Sequence, residues 1–223
     1  MNVIKKVWNY AFQGNEKNME KMTEEEYVEI FMKGRSKEDI ATTYKKAWEA
    51  KNFEVEHYWK RANYFWAFQV ASFAGYFSVI NSKNYVSNPE TLYFVICIGL
   101  ITSFAWTFTN KGSKTWQRHW EIHVDMLENN ITGPLYKIVT SPKTYSVSKI
   151  NEIVSNFIVS TWLIMIIKYF KDNIIVDCSH PIAYLEILSS FITIYFICAM
   201  IYGYGRGRFG ERKVKFYKRK FNI

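Results

Sequence analysis

Cysteine and histidine are scarce, with three Cys and four His in 223 residues. Cys97, Cys178 and Cys198 stand far apart, which offers neither a disulfide framework nor zinc-ligand spacing. A GxSxG elbow, a P-loop, a Rossmann fingerprint and a CxxC pair are all absent. Nothing therefore argues specifically for an enzyme, and no cofactor is expected. After Lys5 and Lys6 the run VWNYAFQG is too short and lacks the cleavage site of a signal peptide. Between Lys37 and Gly75 there is neither Gly nor Pro to interrupt a helix.

The most informative absence is that of charge. Ala62–Ser82, Thr91–Asn110, Ile153–Ile167 and Ile187–Gly205 contain no Asp, Glu, Lys or Arg. A hydrocarbon core of about 30 Å is crossed by roughly 20 apolar residues as helix. The third window is short, but Tyr169 and Phe170 extend it, with Lys168 and Lys171 able to snorkel. A soluble bundle would carry polar residues along one face of each helix, whereas here charge is missing all round. The fold class expected is all-α: a four-pass transmembrane protein with a helical cytoplasmic region.

Net charge is +9, and its placement decides its meaning. Of the 29 Lys and Arg, all but Lys83, Lys168 and Lys171 share one side of a four-pass topology. Basic residues collect on the cytoplasmic side, so both termini and the 110–150 segment belong there. The expected divisions are 1–61 (N-terminal helices and stalk), 62–110 (first hairpin), 111–150 (cytoplasmic helix and loop), 151–205 (second hairpin) and 206–223 (basic tail). Tyr58, Trp59, Lys60 and Arg61 mark one membrane interface, with Arg206 and Arg208 at the last. The tail mixes cations with Phe and Tyr, a composition that suits RNA; because it follows a span directly, anionic lipid is the expected partner and nucleic acid is not.

Thr23 with Glu26 forms a capping box, so a helix is expected from there to Lys33, ending at Gly34. Ser36 caps a second start. From there one helix is expected over about 37–82, a stalk continuous with the first span. Its apolar stripe, Ile40, Tyr44, Trp48 and Val55, has to be covered by another element or another copy. Small residues suited to close helix packing and assembly are Ala71 and Gly75 in the first span, and Gly99 and Ser103 in the second. Ser113–Asn130 reads as an amphipathic helix whose Trp116 and Trp120 face packs on the stalk. Ser148 is the expected cap of the third span.

Candidate chemistry is thin. His119 and His123 stand four apart on one helix face, the spacing of two metal ligands, but HWEIH is not HExxH and structural histidines are the plainer reading. Glu186, Ser189, Ser190 and Thr193 give the fourth span a polar face, and Asn156 does the same for the third. An ionisable residue at membrane depth is a functional candidate, here for a pore or polar pathway, against simple solvation at the interface.

YWKRANYFWAFQVASFAGYF (58–77), GSKTWQRHWEIHVDMLE (112–128), GPLYK (133–137) and SVSKINEIVSNF (146–157) resemble the RipA-like family of bacterial octameric membrane proteins. The resemblance implies a bacterial cytoplasmic-membrane protein that assembles as a homo-octamer, and it supplies no catalytic residues. The function expected is a ring-forming membrane scaffold or channel. The alternatives are a membrane enzyme or partner subunit acting on lipid or envelope precursors at the cytoplasmic face, and a membrane-perturbing defence or stress effector.

Overall fold

The computed structural model describes residues 21–83, 89–139, 141, 144–175, 184–202 and 205. Among them are five α-helices: α1 (Glu24–Phe31), α2 (Lys37–Ile80), α3 (Glu90–Leu127), α4 (Val147–Phe170) and α5 (Tyr184–Tyr202). A 3-10 turn, Glu128–Asn130, ends α3, and a π turn, Lys171–Ile175, ends α4. α3 is the hub, with α2, α4 and α5 all packed on it.

Local chemistry sets most boundaries. Thr23 and Glu26 make the expected capping box at α1, and Ser36 and Asp39 make a second one at α2. α1 ends at Phe31, ahead of the expected Lys33, and Gly34 turns the chain at a φ of 73°, where a Cβ would be strained. α2 is 44 residues long, or about 66 Å at 1.5 Å per residue. The cap of α4 is Ser146, whose hydroxyl accepts from the Lys149 amide, and not Ser148.

The largest departure from expectation lies at Gly112. The second span and the Ser113–Asn130 helix are not separate elements but one helix of 38 residues. A single interior Gly costs only about 1 kcal/mol, and packing along α2 on both sides of the site outweighs it.

Two cores result. One lies among α2, α3 and α4, built on Ile96, Leu100, Trp106, Val159 and Trp162. The other lies at the opposite end of the α2–α3 hairpin, where Tyr27, Ile40, Ala47, Val124 and Leu127 cover the stalk stripe with Trp120 against them. α3, α4 and α5 are long and apolar enough to cross a membrane. The 62–80 part of α2 is equally free of charge but falls outside that group, because Asn63, Tyr64, Gln69, Ser72 and Tyr76 lower its hydropathy.

Candidate functional site

Polar side chains inside the bundle gather at three depths. The lowest joins α2, α3 and α4. Asn151 donates through Nδ2 to the Tyr58 hydroxyl at 2.8 Å and to Asn110 Oδ1 at 3.2 Å. One turn further in, Thr107 donates to Ser155 at 3.2 Å.

Gln69 is the middle joint and is 1% exposed. Its Oε1 accepts from Trp162 Nε1 at 2.7 Å, and its Nε2 donates to Thr102 Oγ1 at 2.8 Å and to the Gly99 carbonyl at 3.4 Å. The Trp162 ring lies against the Gly99 backbone, so close that a Cβ there would sit 2.3 Å from it. Phe73 stacks on the same ring at 4.5 Å. Ser103, fully buried, returns its hydroxyl to the Leu100 carbonyl.

The upper joint ties α5 to the rest. The Tyr169 hydroxyl donates to the Glu186 carboxylate, and Tyr93 and Ser190 share a hydrogen bond of 2.7 Å. Glu186 and Thr193 are buried and Ser189 and Ser190 half-buried, so the polar side of α5 points into its own protomer. Asn156 is exposed.

At the other end, His123 Nδ1 lies 2.7 Å from the Tyr27 hydroxyl, with the His119 ring 4.7 Å away. Burial pushes the Tyr27 pKa up to about 12, so the phenol keeps its proton and can donate to a neutral imidazole. Burial, and secondarily the charge of His119, lowers the His123 pKa. Among the described residues no third His, Cys, Asp or Glu completes a metal-binding group around this pair. Trp120 joins the core, whereas Trp116 is 40% exposed and lies edge-on to His119.

Sequence reasoning missed Glu128, a fully buried carboxylate. It accepts the backbone N–H groups of Tyr136 at 2.7 Å and Lys137 at 3.3 Å. The loop it holds is fixed again by Tyr136, whose ring meets Trp48 at 5.0 Å and lies under Lys51 Nζ at 4.6 Å. Gln69, Asn110, Asn151 and Trp162 were missed as well. The one legible signal, for Gln69, Asn110 and Asn151, was an amide inside or at the edge of a charge-free window, where a polar group needs a partner.

At the expected interface, Trp59 is exposed, Lys60 pairs with Glu56 at 2.6 Å and Arg61 with Glu54 at 3.1 Å. Ala71 is exposed, and Gly75 would bring a Cβ to within 3.6 Å of Val95. Arg206 and Arg208, with the rest of the basic tail, lie outside the described residues, as do Cys178 and the N-terminal residues 1–20. The arrangement does one kind of chemistry well, which is to lock three long helices in register through buried hydrogen bonds.

No curated protein and no solved structure matches the chain. A model of the octameric membrane protein family (8xMP) does match, over residues 41–171. That span takes in nearly all of α2, all of α3 and α4, and with them the lower and middle joints, the Glu128 loop and the histidine pair. The chain belongs to the octameric membrane protein family.

Proposed function

We propose that eight copies form a ring in the bacterial cytoplasmic membrane and act as a scaffold that couples a cytoplasmic layer to the bilayer. Each copy crosses four times, with both termini in the cytoplasm. The observation that carries this is the uninterrupted α2–α3 hairpin, paired from the Tyr27 and Val124 core to the Gln69 joint. The family description supports the copy number. The fourth crossing is supported by Gln69: its hydrogen bonds to Gly99 and Trp162 hold the 62–80 part of α2 at the depth of two apolar helices. The distribution of Lys and Arg supports the orientation, and the tail with Arg206 and Arg208 would rest on anionic lipid.

Mass measurement in nanodiscs is the direct test. Eight copies are expected, and a monodisperse monomer overturns the ring. Inserting Gly-Gly between Glu56 and His57 should abolish function while the assembly persists; retained function would show that rigid coupling is not the mechanism. The scaffold reading is favoured over a channel because Glu186, Ser190 and Thr193 are engaged between helices of one protomer. Proteoliposome ion flux should stay at background, and flux that disappears in Glu186→Gln would establish the channel instead.

A further inference from the structure

Two outward faces of the membrane part match each other in spacing, shape and depth. On α4, Ile153, Phe157, Ile164 and Ile167 are each about two-thirds exposed. With Ser160 they recur at alternating four- and three-residue steps, the spacing of a left-handed helix pair. On α2, Ala67, Ala71, Ala74 and Ser78 are exposed and recur at the same steps. The first face is a ridge of large side chains. The second is a shallow trough where another helix can approach the backbone closely.

Depth follows from the joints. Asn151 bonds to Tyr58 and Trp162 to Gln69, and both pairs are 93 positions apart. α2 and α4 therefore run parallel, and residues 93 apart lie level in the bilayer. The same offset takes Phe157 to Tyr64, Ser160 to Ala67, Ile164 to Ala71 and Ile167 to Ala74. Rotation about an axis normal to the membrane leaves every residue at its own depth, so the ridge of one copy meets the trough of the next without a shift.

We propose that this is the ring-closing interface: the α4 ridge of one copy seated in the α2 trough of its neighbour, a proposal that rests on the ring reading above. A ring requires two different faces per copy, because a face that pairs with itself stops at a dimer. α5 also has an outward apolar side, but it lies beyond the residues that match the octameric family, whereas α2 and α4 lie within them. Lipid could coat the α4 ridge, yet lipid gives no reason for an alanine trough at the same depth.

The test is cysteine cross-linking in native membranes, with Cys178 and Cys198 replaced by Ser and Cys97 left in its buried site. A disulfide needs Cα atoms within about 7 Å, so only level pairs can join. Ala71→Cys combined with Ile164→Cys should lose most of its monomer band to a ladder ending at eight copies. Ala71→Cys with Ile153→Cys, about three turns out of level, should stay monomeric. Dimers from Ile164→Cys alone would overturn the proposal in favour of a symmetric α4 contact. No ladder from the level pair, with the reduced variant still weighing eight copies in nanodiscs, would overturn this interface and leave the ring standing. A monomeric mass for the unmodified protein would instead remove the ring reading itself.

Discussion

Replacing Gly99 with Ala should loosen the membrane bundle more than a single methyl group suggests. The added Cβ would lie 2.3 Å from Trp162 Cε2 and 2.4 Å from Cζ2. Ordinary carbon contacts are about 3.5–4.0 Å, so the ring has to withdraw by more than about 1 Å. Phe73 stacks on the indole at 4.5 Å and Trp162 is wholly buried, so the ring can withdraw only by displacing its neighbours. Overpacking of this kind costs about 1–3 kcal/mol. The retreat also stretches the 2.7 Å bond from Trp162 Nε1 to Gln69, and an interhelical hydrogen bond in lipid adds about 0.6–1.7 kcal/mol. The sum is about 2–5 kcal/mol, which SDS titration of detergent-solubilised protein, followed by tryptophan fluorescence, can resolve. Trp162→Leu in the same chain should restore part of the loss, giving a coupling of opposite sign to the two single effects. Unchanged stability in Gly99→Ala, or strictly additive losses in the pair, would refute the account.

Three further outcomes follow from the other buried groups. Gln69→Leu leaves the Trp162 N–H without its acceptor and should cost about 1–2 kcal/mol in the same titration, with less effect on the cytoplasmic core. Glu128→Ala strands the amides of Tyr136 and Lys137. Bonds to a charged acceptor contribute about 1.5–3 kcal/mol each, so hydrogen exchange at those two amides should accelerate by at least about tenfold. Glu128→Gln should fall between, because its amide keeps one good acceptor. The His123 site sets a pH dependence: its pKa is lower in the folded chain than in the unfolded one, so the unfolded state binds protons first. Stability from this site is full above about pH 6.5 and is lost as pH falls from there through the depressed value. His123→Gln should flatten that dependence in thermal melts, and an unchanged profile would count against the buried neutral imidazole.

What was legible in the sequence was local. The box of Thr23 with Glu26 and the cap at Ser36 are relations within three residues, and both form as read, the second completed into a box by Asp39. Charge-free windows are legible because hydrocarbon penalises any charge wherever its partner lies. Continuity through Gly112 was not legible, since the signal for a break is local and the packing that overrides it comes from α2. Gln69 and Trp162 are 93 positions apart, and nothing near either one names the other. Glu128 was hidden for another reason: its partners are backbone amides, which carry no residue code. Helical spacing places Trp116 and Trp120 on one face of α3 without saying how deeply each is covered: Trp120 packs on the core and Trp116 stays 40% exposed.

The joints do more than hold one copy together. Because Tyr58 with Asn151 and Gln69 with Trp162 share one offset, they form a ruler between α2 and α4 with two marks. Sliding either helix by a heptad would move it about 10 Å and leave an indole N–H, two amides and a phenol without partners in hydrocarbon, each costing about 1–2 kcal/mol. The register is therefore far better determined than apolar packing alone would make it. That register is also what brings the α4 ridge level with the α2 trough on the outside of the protomer. The buried polar groups, which look at first like a pathway through the membrane, thus set the height at which neighbouring copies can meet.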